Sequence, residues 1–113
     1  MSEPTDAPED FEAFWRKFLA DHPSSANRWA HVTALVAATA GLAIAARSRR
    51  IVPLALGASA AALLAVGGHP VFQGDRPKNF GHPLWAARAF VRLCARTVTG
   101  RATRELEALR ADT

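Results

Sequence analysis

The chain has no tyrosine and a single cysteine, Cys94, among 113 residues. One cysteine cannot close an intrachain disulfide, so a disulfide scaffold is excluded. A cysteine-rich structural zinc site is excluded for the same reason. The length suits one small domain and is too short for a large soluble catalytic domain. The residue mix does not fit collagen, low-complexity or coiled-coil classes. Acids are missing from the middle of the chain: residues 22–74 hold no Asp or Glu. Six of the ten acids lie in the first 21 residues, at Glu3, Asp6, Glu9, Asp10, Glu12 and Asp21.

What fills the acid-free stretch is apolar. Half of the chain is hydrophobic, yet the mean hydropathy is only +0.01, because much of the apolar content is alanine. Residues 29–46 and 51–68 are two uncharged runs of 18 residues, separated by Arg47, Arg49 and Arg50. As a helix each run is about 27 Å long, close to the hydrocarbon thickness of a bilayer. The expectation is an all-α protein built on a transmembrane helical hairpin with a short basic loop. A soluble alanine-rich hairpin is the competing reading, but a water-facing helix normally carries a polar stripe, and neither run has one. Ala34, Ala38, Gly41 and Ala45 in the first run, and Gly57, Ala61 and Ala65 in the second, would let the backbones approach closely in lipid. Pro53 falls in a first turn, where its missing N–H is tolerated. The first run begins too late, behind an acidic segment, to be a cleavable signal peptide.

Two helices are expected to flank the hairpin. Phe11, Phe14, Trp15, Phe18 and His22 share one face of an N-terminal aromatic amphipathic helix. Acids crowd its first turn, Pro23 ends it, and Ser24 or Ser25 can cap the next helix. After a loop of Pro, Gly and polar residues at 70–81, Pro83 opens a C-terminal basic amphipathic helix. Arg88, Arg92 and Arg96 repeat on one side of it, with Ala87, Phe90, Val91, Cys94 and Val98 expected opposite. Such a helix suits an anionic membrane surface, or the solvated face of an ordinary bundle. Residues 1–8 are expected as a disordered acidic tail and residues 101–113 as a charged tail. The net charge of +4 does not argue for nucleic acid, since no reader motif accompanies the arginines.

The four histidines, His22, His31, His69 and His82, show no short metal-binding spacing. Topology is more informative. His31 lies in the first turn of the first span and His69 directly follows the second, so an antiparallel hairpin brings both to the same end. His22 and His82 flank those positions in sequence. Four imidazoles at one interface, opposite the arginine loop, are what a metal site needs, and neutral imidazole suits iron, zinc or copper. Asp21, Gln73 and Asp75 are candidates to complete or orient the ligand shell.

The residues around the histidines carry a resemblance. His22-Pro23-Ser24-Ser25-Ala26-Asn27-Arg28-Trp29-Ala30-His31 resembles the first signature of the 2-hydroxy-fatty-acid dioxygenases, small membrane proteins named for metabolism of phytosphingosine to odd-numbered fatty acids. Gly68-His69, Arg76-Pro77, Phe80 and Pro83-Leu84-Trp85 resemble the second, at fixed intervals. The likeness covers residues 11–90. It implies an iron(II)-dependent membrane enzyme that uses molecular oxygen to shorten a 2-hydroxy fatty acid by one carbon. Carried over by position, His22, His31, His69 and His82 are metal ligands, while Arg28, Asn27 and Arg76 hold the substrate carboxylate or order the ligands. The chain departs from the family at Gln73-Gly74-Asp75, where members have Glu-Lys-Asn; Asp75 is the residue to compensate for the lost glutamate.

Two function classes stay open at this point: the dioxygenase, and a non-catalytic membrane protein with a lipid-binding or assembly role. A zinc-dependent hydrolase is a third. The partners expected are the 2-hydroxy fatty acid, oxygen and the bilayer, with a homo-oligomer left open. The excess of Arg over Lys with abundant Ala points to a bacterial cytoplasmic membrane. Arginine counts near the spans place the histidine face on the cytoplasmic side.

Overall fold

The computed structural model describes residues 8–78 and 81–112. All regular structure among them is helical: α1 (Phe11–Ala20), α2 (Ser25–Ser48), α3 (Val52–Gly68), a π-helical turn (His69–Gln73), α4 (Pro83–Val98) and α5 (Arg101–Ala111). The chain divides into two compact units, one formed by Ser24–Pro77 and the other by Met1–Pro23 with Lys78–Thr113. Of the expected N-terminal tail only Pro8 is described. Asn79 and Phe80 of the second signature also lie outside the described residues.

The Ser24–Pro77 unit is a helical hairpin. Ser24 caps α2 by accepting from the Asn27 backbone N–H at 3.1 Å, which satisfies one donor of the exposed first turn. Arg49, at φ 58°, ends α2 in the left-handed region and turns the chain into α3. The two helices pack through small residues. A Cβ built on Gly41 would stand 2.6 Å from the Pro53 carbonyl and 2.9 Å from Gly57 Cα; one on Gly57 would stand 2.6 Å from the Ala37 carbonyl. The backbones touch here, and only glycine fits. Large apolar side chains point the other way: Val36, Leu42, Ile44, Val52, Leu56, Leu63 and Val66 are exposed. A soluble core helix buries its large side chains. This pair buries the small ones, as helices do when lipid rather than water surrounds them. Ser25–Ser48 and Val52–Gln73 are both long and apolar enough to cross a membrane.

The other unit is a three-helix cluster. Asp10 caps α1, accepting from Ala13 N–H at 2.8 Å. The buried stripe Phe11, Phe14, Trp15, Phe18 and Leu19 meets Ala89 and Leu93 of α4 and Ala102 and Leu106 of α5. The expected charged tail is therefore largely a fifth helix. Gly100, in the left-handed region at φ 79°, makes the turn into it. Helix formation lets Ala102 and Leu106, four residues apart, bury one apolar stripe.

The basic stripe of α4, for which the sequence left an anionic membrane surface and a solvated bundle face open, also makes contacts within its own unit. Arg88 lies over the Phe11 ring at 3.9 Å, and Arg92 and Arg96 each stand 5.3 Å from the Trp15 ring. Arg92 makes a two-pronged pair with Glu12 at 3.1 and 3.3 Å, and Arg96 meets Glu105 at 2.6 Å. These guanidiniums cover aromatic faces and bind acids of α1 and α5. The buried arc of α4 is Ala89, Leu93, Cys94 and Thr97, while Val91 and Val98, on the face expected opposite the arginines, are exposed. The helix is rotated from the simple apolar-against-basic division because arginine stems and planar heads pack well on aromatic rings.

Candidate metal centre

Each unit positions its own histidines. Within the hairpin, the antiparallel path brings His31, near the start of α2, beside His69, just past the end of α3. Their rings meet edge to face with centroids 5.4 Å apart, and both side chains are buried. The expected pairing of these two positions is realised, at the end away from Arg47, Arg49 and Arg50.

The hydrogen bonds fix the tautomers. His31 Nδ1 lies 2.8 Å from the Asn27 carbonyl. A carbonyl can only accept, so Nδ1 carries the proton and Nε2 the lone pair. His69 Nδ1 lies 3.0 Å from Asp75 Oδ1 and 3.3 Å from Gln73 Nε2; with the carboxylate ionised and both amide hydrogens of Gln73 directed at Asp75, Nδ1 donates to Oδ1 and the assignment is the same. In the three-helix unit, His22 is buried against Phe18, ring centroids 4.4 Å apart, and its Nδ1 donates to the Phe18 carbonyl at 2.6 Å. In all three residues Nδ1 lies against an oxygen, which places the ring lone pair on Nε2. An imidazole pinned in this way is what metal ligation requires of its outer partners. Each of His22, His31 and His69 is thus a buried imidazole of the kind that can bind a metal ion, and neutral imidazole is a donor compatible with iron.

His82 is placed differently. It occupies the position before α4, half-buried, stacked on Trp85 with centroids 4.3 Å apart and edge-on to Phe14 at 5.9 Å. These contacts use its ring faces and edge. Asp21 accepts from Lys78 at 2.9 Å. Arg28 is buried in the first turns of α2, at 4 % exposure, whereas Arg76 is exposed in the loop after the π-helical turn.

The π-helical turn builds the surroundings of His69. Its wider winding ends at Gly74, in the left-handed region at φ 72°, and returns Asp75 to the His69 ring. Such turns recur at functional positions because they reorient side chains out of α register. Gln73 supports the arrangement. Its Nε2 donates to both Asp75 oxygens at 3.2 Å, and its Oε1 accepts from the Ser24 backbone N–H at 3.2 Å. One amide thus ties the start of α2 to the carboxylate that holds His69. Sequence reasoning had named Gln73 and Asp75 without seeing this link, which depends on two residues 49 apart.

Asn27, which the resemblance names as a holder of the substrate carboxylate or of the ligands, has surroundings that the sequence did not reveal. Asn27 is wholly buried, and among the described residues neither Oδ1 nor Nδ2 has a hydrogen-bond partner. Its side chain rests against Gly68, where a Cβ would collide with Oδ1. The Gly67-Gly68 pair was the available signal. Gly67 has open space around its Cβ position, and Gly68 has none.

A family model described as 2-hydroxy-palmitic acid dioxygenase Mpo1-like matches residues 8–102. No curated protein and no solved structure matches the chain. The matched region runs from before α1 into α5 and takes in all four histidines, Arg28, Asp75 and Arg76, so the chain belongs to the 2-hydroxy-palmitic acid dioxygenase Mpo1-like family.

Proposed function

We propose that this chain is a membrane-embedded, iron(II)-dependent dioxygenase that converts a 2-hydroxy fatty acid to the acid one carbon shorter. The observation that carries the reading is the shared tautomer of His22, His31 and His69, each buried with Nδ1 bound to an oxygen. A metal-ligating histidine almost always donates its other ring N–H to a carbonyl or carboxylate in this way, so the arrangement at three buried rings supports ligation. Family membership supplies the substrate class.

In this proposal His22, His31 and His69 hold iron(II) through Nε2, with His82 as the fourth ligand. Its stacking on Trp85 involves the ring face, and ligation uses the in-plane lone pair. Bound iron would supply the redox chemistry with molecular oxygen that side chains cannot supply. The rest falls to the chain itself. Asp75 keeps the His69 proton on Nδ1, and Gln73 keeps Asp75 aimed at that proton. Arg28 neutralises the substrate carboxylate, ideally by a two-pronged contact. Arg76, outside the buried set, assists at entry. The exposed apolar surface of the hairpin lies in lipid, where the acyl tail of the substrate already resides. The histidine end is assigned to the cytoplasmic side of a bacterial membrane.

The test is anaerobic reconstitution with iron(II), followed by 2-hydroxypalmitic acid and oxygen. Stoichiometric iron and the product one carbon shorter are expected, and His69→Ala should lose both. Product formed without oxygen would instead indicate a hydrolase, and protein that takes up no iron would remove the basis of the reading.

A further inference from the structure

Buried polar groups are almost always hydrogen-bonded, so each exception calls for an explanation. Asn27 has both polar atoms of its side chain buried and, among the described residues, without a partner, at 0 % exposure. Its own backbone is well used. Its N–H binds the Ser24 cap, and its carbonyl accepts from His31 Nδ1. The side chain has been given space at some cost, because Gly68, immediately before His69, must lack a Cβ for Asn27 Oδ1 to fit. Glycine inside a helix is destabilising relative to alanine, because it loses more backbone freedom on folding. An amide with no role would be expected to yield to an apolar side chain and an alanine there.

We infer that the Asn27 carboxamide reads the 2-hydroxy carboxylate head of the substrate. The inference rests on the functional reading above and deepens it. An amide presents one acceptor and two donor hydrogens side by side. A 2-hydroxy acid presents the complement: a hydroxyl that donates to Oδ1 and, one carbon away, a carboxylate that accepts from Nδ2. An acid without the 2-hydroxyl would leave Oδ1 buried and unpaired, which is how a polar site rejects an analogue lacking one group. Asn27 sits at the base of the α2 turn that holds His31 and against the residue preceding His69. The head group it reads would lie beside the two hairpin imidazoles. Asn27 is thus a specificity-determining residue, distinct from Arg28, which supplies charge and no preference for the hydroxyl.

The test compares affinities of the full chain, loaded anaerobically with iron(II) in lipid nanodiscs, for 2-hydroxypalmitic and palmitic acids. Wild type is expected to prefer the hydroxy acid. Asn27→Leu, similar in shape and without polar atoms, should reduce that preference about tenfold. It should also raise the melting temperature of the ligand-free protein, because it removes two buried unsatisfied atoms. Asn27→Ala, which is smaller and also lacks polar atoms, provides the same comparison should leucine not fit against Gly68. A preference unchanged in both variants overturns the assignment to Asn27 alone. A wild type that binds the two acids equally overturns the substrate reading, and this assignment with it.

Discussion

Across the π-helical turn, His69 Nδ1 and Asp75 Oδ1 stand 3.0 Å apart, and Gln73 holds the same carboxylate from the side. A carboxylate–imidazole pair of this kind fixes the tautomer and the direction of the ring, as metal ligation requires. Asp75→Ala is therefore expected to weaken iron(II) binding by about 10–100-fold. Asp75→Asn should cost less, because its amide oxygen still accepts from Nδ1. Competition against a chelator of known affinity measures both, and unchanged affinity in Asp75→Ala would detach this pair from metal binding.

Gly41 and Gly57 set the separation of α2 and α3. Gly41→Leu is expected to force the backbones apart at the Pro53 carbonyl and lower the melting temperature markedly. Gly67→Ala is the control, since nothing lies within 4 Å of its Cβ position. It should be neutral or stabilising by about 0.5–1 kcal/mol. Equal effects of the two substitutions would contradict the close approach.

Glu12 sits beside three arginines of α4. The hydrogen bond from Arg92 holds its carboxyl below the ordinary value of 4.5, with the charges of Arg92, Arg88 and Arg96 adding and desolvation opposing. A carboxyl whose folded pKa is depressed stabilises the fold fully above its unfolded value. That contribution disappears as pH falls through the folded value. Glu12→Gln should therefore be less stable than wild type at pH 7, with the gap closing in acid. Melting temperatures from pH 7 to 3 check the sign, and a gap that widens toward acid would contradict it.

Cys94 is buried in α4, and burial pushes its thiol up to about 11. The reactive species is the thiolate, so the folded protein should resist alkylation at pH 8. Denaturant should release one rapidly reacting thiol. Mass spectrometry before and after unfolding reads this directly, and fast labelling of the native chain would show that α4 does not pack as described.

The hairpin was legible in the sequence because lipid-scale spans are written in composition: two uncharged runs of 18 residues and a basic break need no tertiary information. The aromatic stripe of α1 was legible for a similar reason, since a 3.6-residue period survives in the linear order. The arginine stripe of α4 was visible as a period, but its destination was not. Whether guanidiniums face lipid headgroups, water or the rings of Phe11 and Trp15 depends on which helix is adjacent. The fate of residues 101–113 depended likewise on an apolar surface for Ala102 and Leu106 to bury against.

The sequence by itself determined the helical class, the two spans, and which residue types could ligate a metal. It also placed His31 and His69 at one end, since an antiparallel hairpin leaves no other arrangement. Only the tertiary structure decided how those imidazoles are held. The link from Ser24 to Gln73, from Gln73 to Asp75 and from Asp75 to His69 joins residues distant in the chain through contacts of about 3 Å. Periodicity carries no information at that scale. The unpartnered amide of Asn27 was equally hidden, because an unmet hydrogen bond is a property of a residue's surroundings in space, and the glycine that makes room for it lies 41 positions further along the chain.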